Sequence, residues 1–152
     1  MVNKMGKVLF VGFKGKNNAS GKLAAGISSE HLLLTNSFAG LKTDIDLAGE
    51  EYDHVIMFGV DKTLISTVRV EKSAVKDDKK IYSKLDLPNL TESIKAVKIE
   101  AEISDAPKNC LCNEAYWLAL TKYGGRAVFI HIPTIKYADD MFLNKLERVF
   151  TR

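Results

Sequence analysis

Val55-Ile56-Met57-Phe58-Gly59-Val60 is apolar at every position, and Val8-Leu9-Phe10-Val11-Gly12-Phe13 is apolar throughout as well. A strand with one wet face alternates apolar and polar residues, whereas a run apolar on both faces must be covered on both sides. Both stretches therefore read as buried strands of a parallel sheet. A third run, Ala127-Val128-Phe129-Ile130-His131-Ile132, ends at the strand-stopping Pro133. His31 to Thr35 gives a shorter candidate. Between these runs the pattern turns helical. Ser20 is a candidate cap for a helix over residues 21–29, and residues 44–52 suit a short helix. Leu111 to Tyr123 is the best helix, with Leu111, Ala115, Leu118 and Ala119 recurring and Gly124-Gly125 closing it. Asp139 to Phe150 reads as amphipathic, with Met141, Leu143, Leu146 and Phe150 as its apolar set.

The middle of the chain differs. Ser66 to Val75 alternates with period two, so it predicts a strand with one solvated face in a mixed or antiparallel part of the sheet. Lys76 to Lys80 is a charged turn. Residues 81–87 predict a short strand before Pro88, residues 91–97 a weak helix, and Lys98 to Ile103 another alternating strand. Strands alternating with helices give an α/β domain with a largely parallel sheet and helices on both faces. No repeat, linker or low-complexity stretch divides it, so residues 1–152 read as one domain.

Composition agrees. The chain has 152 residues, 46% hydrophobic and 27% charged, with a net charge of +3. A core can form without staples at this length. So small and scattered a charge gives no case for a nucleic-acid partner. No apolar run approaches the roughly 18 residues of a membrane span, so no membrane association is expected. Residues 1–7 carry two lysines but no long apolar segment, so no signal peptide is expected. The two cysteines, Cys110 and Cys112, are separated by one residue. A bridge between them would be strained, so reduced thiols in a cytoplasmic protein are expected.

In α/β sheets, chemistry collects at strand C-termini and helix N-termini. Cys112 starts the strongest helix, where free amides and the helix dipole favour a thiolate and can hold an oxyanion. His131 lies near the end of its strand, and Glu71 lies in the alternating one. A thiol, an imidazole to take its proton and a carboxylate to orient the imidazole are what a nucleophilic cysteine requires. Each also has an ordinary reading: a small buried hydrophobe, a core histidine, a solvated glutamate. The residues alone leave both readings open. Cys110 and Cys112 lack a second close-spaced pair, so a structural metal is not expected. The glycines near Gly12 and Gly15 match neither phosphate-loop pattern.

At these same residues the sequence resembles the pyroglutamyl-peptidase I (pyrrolidone-carboxylate peptidase) family of cysteine peptidases. Leu111-Cys112-Asn113, with Tyr116 and Trp117 in the helix behind it, is similar to the family's nucleophile segment. Phe129-Ile130-His131-Ile132-Pro133 is similar to its histidine segment, and Val70-Glu71-Lys72-Ser73-Ala74 to its acid segment. Val8 to Phe13 matches its first strand, and Asn17-Asn18-Ala19-Ser20 the turn after it. The resemblance implies a three-layer α/β/α sandwich with a mixed, largely parallel sheet. It implies removal of N-terminal pyroglutamate from peptides without metal or cofactor. Cys112 would be the nucleophile, His131 the general base and then acid, Glu71 the orienting group, and the Cys112 amide an oxyanion donor. Phe13, Asn17 and Asn18 would hold the lactam, and the partner would be a peptide or small-amide substrate, with homo-oligomer contacts left open.

The chain also departs from the family. Phe13 is followed by Lys14-Gly15-Lys16, which lacks the family's second phenylalanine. Asp61-Lys62-Thr63-Leu64 replaces a loop carrying glycines and an arginine, and Lys108-Asn109-Cys110 replaces Gly-x-Tyr. These departures keep two alternatives in view: a catalytically degenerate relative that binds or scaffolds, and a cysteine hydrolase of another small amide.

Overall fold

A computed structural model of the chain describes residues 6–151. In chain order the elements are β1 (Val8–Phe13), α1 (Ala19–Ile27), β2 (His31–Leu34), α2 (Phe38–Leu47), β3 (His54–Val60), β4 (Thr67–Glu71), β5 (Ser73–Lys76), β6 (Lys79–Tyr82), α3 (Leu87–Ala96), β7 (Glu100–Ser104), α4 (Leu111–Lys122), β8 (Ala127–Ile132) and α5 (Asp140–Phe150). Six strands form one sheet in the order β2-β1-β3-β8-β4-β7. The β2, β1, β3 and β8 strands run parallel; β4 is antiparallel to β8 and parallel to β7. The sheet is thus mixed and largely parallel, as the two-sided apolar runs and the alternating stretch require. Residues 1–5, most of the stretch in which no signal peptide is expected, lie outside the described residues.

Each sheet face buries its own core. On one side Phe10, Ile56, Phe58, Val68, Val70, Val128 and Ile130 pack beneath residues of α1, α3 and α5. On the other, Leu9, Val11, Phe13, Val55, Met57 and Phe129 pack beneath α2 and α4. At roughly 25 cal/mol per Å² of buried apolar surface, this two-sided burial is the main favourable contribution to the fold. Three layers result: helices, sheet, helices.

Several boundaries differ from the sequence reading. Asn18, not Ser20, caps α1: its side-chain oxygen accepts from the amides of Ser20 and Gly21, while the Ser20 hydroxyl accepts from the Phe13 amide at 3.1 Å. The helix expected over 44–52 begins earlier, because Ser37 caps it. The strand expected over 66–75 is two strands, β4 and β5, with β5 pairing β6 in a separate hairpin. Its turn, Asp77-Asp78, has φ of 51° and 64°, the twin left-handed pair of a two-residue hairpin loop. Pro88 lies in the first turn of α3 behind its cap Asp86, where a proline's missing N–H costs nothing. In α5, Leu143 and Leu146 are buried as expected, but Met141 is exposed.

Candidate active site

The polar face of β4 carries Arg69 and Glu71, and antiparallel pairing sets Arg69 opposite His131 on β8. Parallel pairing sets Gly59 of β3 opposite His131 on its other side. These residues share one sheet face, and α4 lies over it with Cys112 in its first turn. An ideal Cβ built on Gly59 would stand 2.8 Å from the Cys112 sulfur and 2.5 Å from the Phe129 ring. The absent side chain at Gly59 is therefore what lets thiol and ring settle on the sheet beside the imidazole.

His131 and Glu71 are joined directly, Nδ1 to Oε2 at 2.7 Å. A carboxylate only accepts, so Nδ1 carries a proton in this contact. The Arg69 Nη2 atom is 3.4 Å from the same Nδ1, but two donors cannot bond to each other, so this is a packing contact. Arg69 instead donates from Nε to Glu71 at 2.7 Å and from Nη2 to Asp61 at 2.6 Å. Burial pushes Asp61 upward, but bonds from Thr63 and Arg69 outweigh it and hold the carboxyl well below the usual carboxylate range. Burial also disfavours the Arg69 charge, and bonds to Asp61 and Glu71 more than restore it. A Tyr116 hydroxyl on α4 donates to the Glu71 carbonyl at 2.8 Å, fixing helix to strand. Asn113 does the same for the hairpin, donating to the Val75 carbonyl at 2.8 Å and accepting from its amide at 2.9 Å.

The two thiols form a pair. Cys110 occupies the N-cap position of α4 with extended backbone. The Cys112 thiol, joined by the amides of Asn113 and Cys112 and the nearby His131, pushes the Cys110 pKa down to about 5 against the effect of burial. Cys112 moves the opposite way: its proton is held against Cys110, and burial with the Asp61 and Glu71 carboxylates favours the neutral thiol. The lowering expected at Cys112 falls instead at Cys110, the more exposed of the two sulfurs. Among the described residues no hydrogen bond joins Cys112 to the imidazole.

A cavity of about 810 Å³ opens onto these groups. Asp61, Arg69, Glu71 and His131 form its polar wall, Tyr116 and Phe129 an aromatic wall, and Cys110 and Cys112 its thiol edge.

No family model matches the sequence, and no curated protein matches it. Solved structures do. Pyroglutamyl peptidase I from Bacillus amyloliquefaciens superposes with a TM-score of 0.83 at 17% identity, covering 96% of each chain. The pyrrolidone carboxyl peptidase of Thermococcus litoralis gives 0.79 at 21% identity, covering 97% of this chain and 90% of that one. A mutant pyrrolidone carboxyl peptidase from Pyrococcus furiosus gives 0.74 at 19% identity, covering 94% of this chain and 93% of that one. This chain has the pyroglutamyl-peptidase fold.

Within that fold, Glu71, Cys112 and His131 all border the cavity, but Phe13, Asn17 and Asn18 do not. Phe13 is 4% exposed and lies behind the Phe129 ring, with centroids 6.5 Å apart. The Asn18 side-chain oxygen is committed to capping α1, and Asn17 is exposed. These three, expected as lactam contacts, stand outside this cavity, with Phe13 taken up in core packing and Asn18 in helix capping. Asp61, Arg69 and Gly59 were missed. Their signal is the cross-strand register, which a single sequence carries only weakly. Among the described residues no helix is long and apolar enough to cross a membrane.

Proposed function

We propose that the chain is a cysteine-type hydrolase that removes N-terminal pyroglutamate from peptides. The observation that carries this reading is the 2.7 Å contact of Glu71 with His131 Nδ1 in a cavity that Cys112 also lines. The fold it shares with pyroglutamyl peptidases supports it.

In this reading His131 Nε2 takes the proton from the sulfur pair as Cys112 attacks the pyroglutamyl carbonyl. Glu71 holds the tautomer and balances the charge the imidazole gains. Arg69 and Asp61 hold the Glu71 carboxylate in place. The Cys112 amide at the N-terminus of α4 is the oxyanion donor, and the Cys110 sulfur must yield it when substrate enters. His131 then protonates the leaving amine, and water releases pyroglutamate by the same route. The flat lactam suits the wall formed by Tyr116 and Phe129.

The position of Phe13, Asn17 and Asn18 outside the cavity favours a second reading, the same thiol chemistry on another small amide. Release of a fluorophore from a pyroglutamyl amide tests the first. Turnover should need reduced thiols and be abolished by Cys112→Ala, and Glu71→Gln should lower it by roughly 10²–10⁴-fold. No pyroglutamyl turnover, with hydrolysis of other small amides lost in Cys112→Ala, would establish the second. Binding of a pyroglutamyl amide without any turnover would point to a non-catalytic relative.

A further inference from the structure

We propose that Cys110 and Cys112 are a peroxide-sensitive thiol pair that closes to an intramolecular disulfide and opens again on reduction. The inference stands whether or not the cavity hydrolyses an amide. Both sulfurs border the same cavity, Cys110 exposed at its mouth and Cys112 further in. Their spacing suits a bridge once the local backbone is known. Helix α4 begins at Leu111, between them. Helical geometry at that residue sets the flanking Cα atoms about 5.4 Å apart, within the roughly 4.4–6.8 Å that disulfides span. The neighbouring Cys112 side chain and the nearby amides lower the pKa of the exposed Cys110, where a peroxide arrives first.

The chemistry balances with hydrogen peroxide as oxidant. The Cys110 thiolate attacks one peroxide oxygen, the O–O bond breaks, and the departing hydroxide takes the Cys112 proton to become water. Cys110 is now a sulfenic acid. The Cys112 thiolate attacks its sulfur, the S–O bond breaks, and the second hydroxide leaves as water with the proton Cys110 lost when it ionised. Two thiols have lost two hydrogens, and one peroxide has become two waters. A small dithiol reverses the bridge by exchange.

This chain has only two cysteines, so intact mass reads the outcome directly. After brief treatment with hydrogen peroxide the monomer should be lighter by two hydrogen atoms, and dithiothreitol should restore it. In Cys112→Ser the resolving thiol is gone, and the monomer should instead gain oxygen atoms at Cys110. Unaltered protein that gains oxygen without losing two hydrogens, or that forms only disulfide-linked dimers, would overturn the proposal.

Discussion

Alanine at position 59 adds a single methyl group to a strand where none can be accommodated. Its Cβ would meet the Phe129 ring at 2.5 and 2.7 Å and the Cys112 sulfur at 2.8 Å, against about 3.5–4.0 Å for comfortable carbon contact. The ring would have to retreat by about 1 Å. It cannot do so freely, since Phe129 is 1% exposed and packs on Tyr116 and His131 at centroid distances of 5.8 and 4.9 Å. Overpacking of this kind costs about 1–3 kcal/mol. For a chain of this length each kcal/mol lowers the melting temperature by about 2–4 °C, so Gly59→Ala should melt roughly 2–12 °C lower. The other yielding group is the Cys112 thiol. A displacement of about 1 Å at a reacting atom can cost about 10²-fold in rate. Calorimetry and pyroglutamyl-amide turnover on the same preparation measure both. A variant that melts and turns over like the unaltered protein would refute the account of why thiol and imidazole meet over a glycine.

Two further outcomes follow from other contacts. Asn113→Ala should leave the Val75 amide and carbonyl unpaired, costing about 1–3 kcal/mol for each group that water does not reach; hydrogen exchange should show β5 and β6 opening before the main sheet. Alkylation by iodoacetamide should fall first on Cys110, stay fast at pH 7, and slow as pH drops through about 5, where its thiolate takes up a proton; faster labelling of Cys112 would reverse the assignment of charge within the pair.

The strands β1, β3 and β8 were legible because strands covered on both faces leave almost no polar position to disguise them, His131 being the exception within β8. The end of β4 was not, since the alternation runs on through Lys72 into β5 while the chain leaves one sheet for another. The α2 helix was misplaced because it buries only Leu41 and Ile45, too few to set a period. At the site, Glu71, Cys112 and His131 could be read as chemistry from type and position, helped by the family resemblance. Asp61 and Arg69 could not, as their roles come from a strand pairing that places position 69 beside position 131. Cys110 was seen, but its part depends on α4 starting one residue later.

The antiparallel meeting of β4 and β8 has a consequence for how the chain finds its native pairing. Val68 and Val70 point into one core while Thr67, Arg69 and Glu71 share the other face. A slip by one residue would turn the valines outward, and hydrophobic burial forbids it. A slip by two keeps the same face inward but brings Ser66 or Lys72 to one valine position, and it would put Arg69 or Ser73 where Glu71 grips His131. The polar contacts also tell the two alignments apart: Asp61 draws Arg69, and His131 draws Glu71. The carboxylates and the guanidinium therefore serve as a checksum on strand alignment, so neutralising either carboxylate should populate a misaligned sheet as well as a slower site.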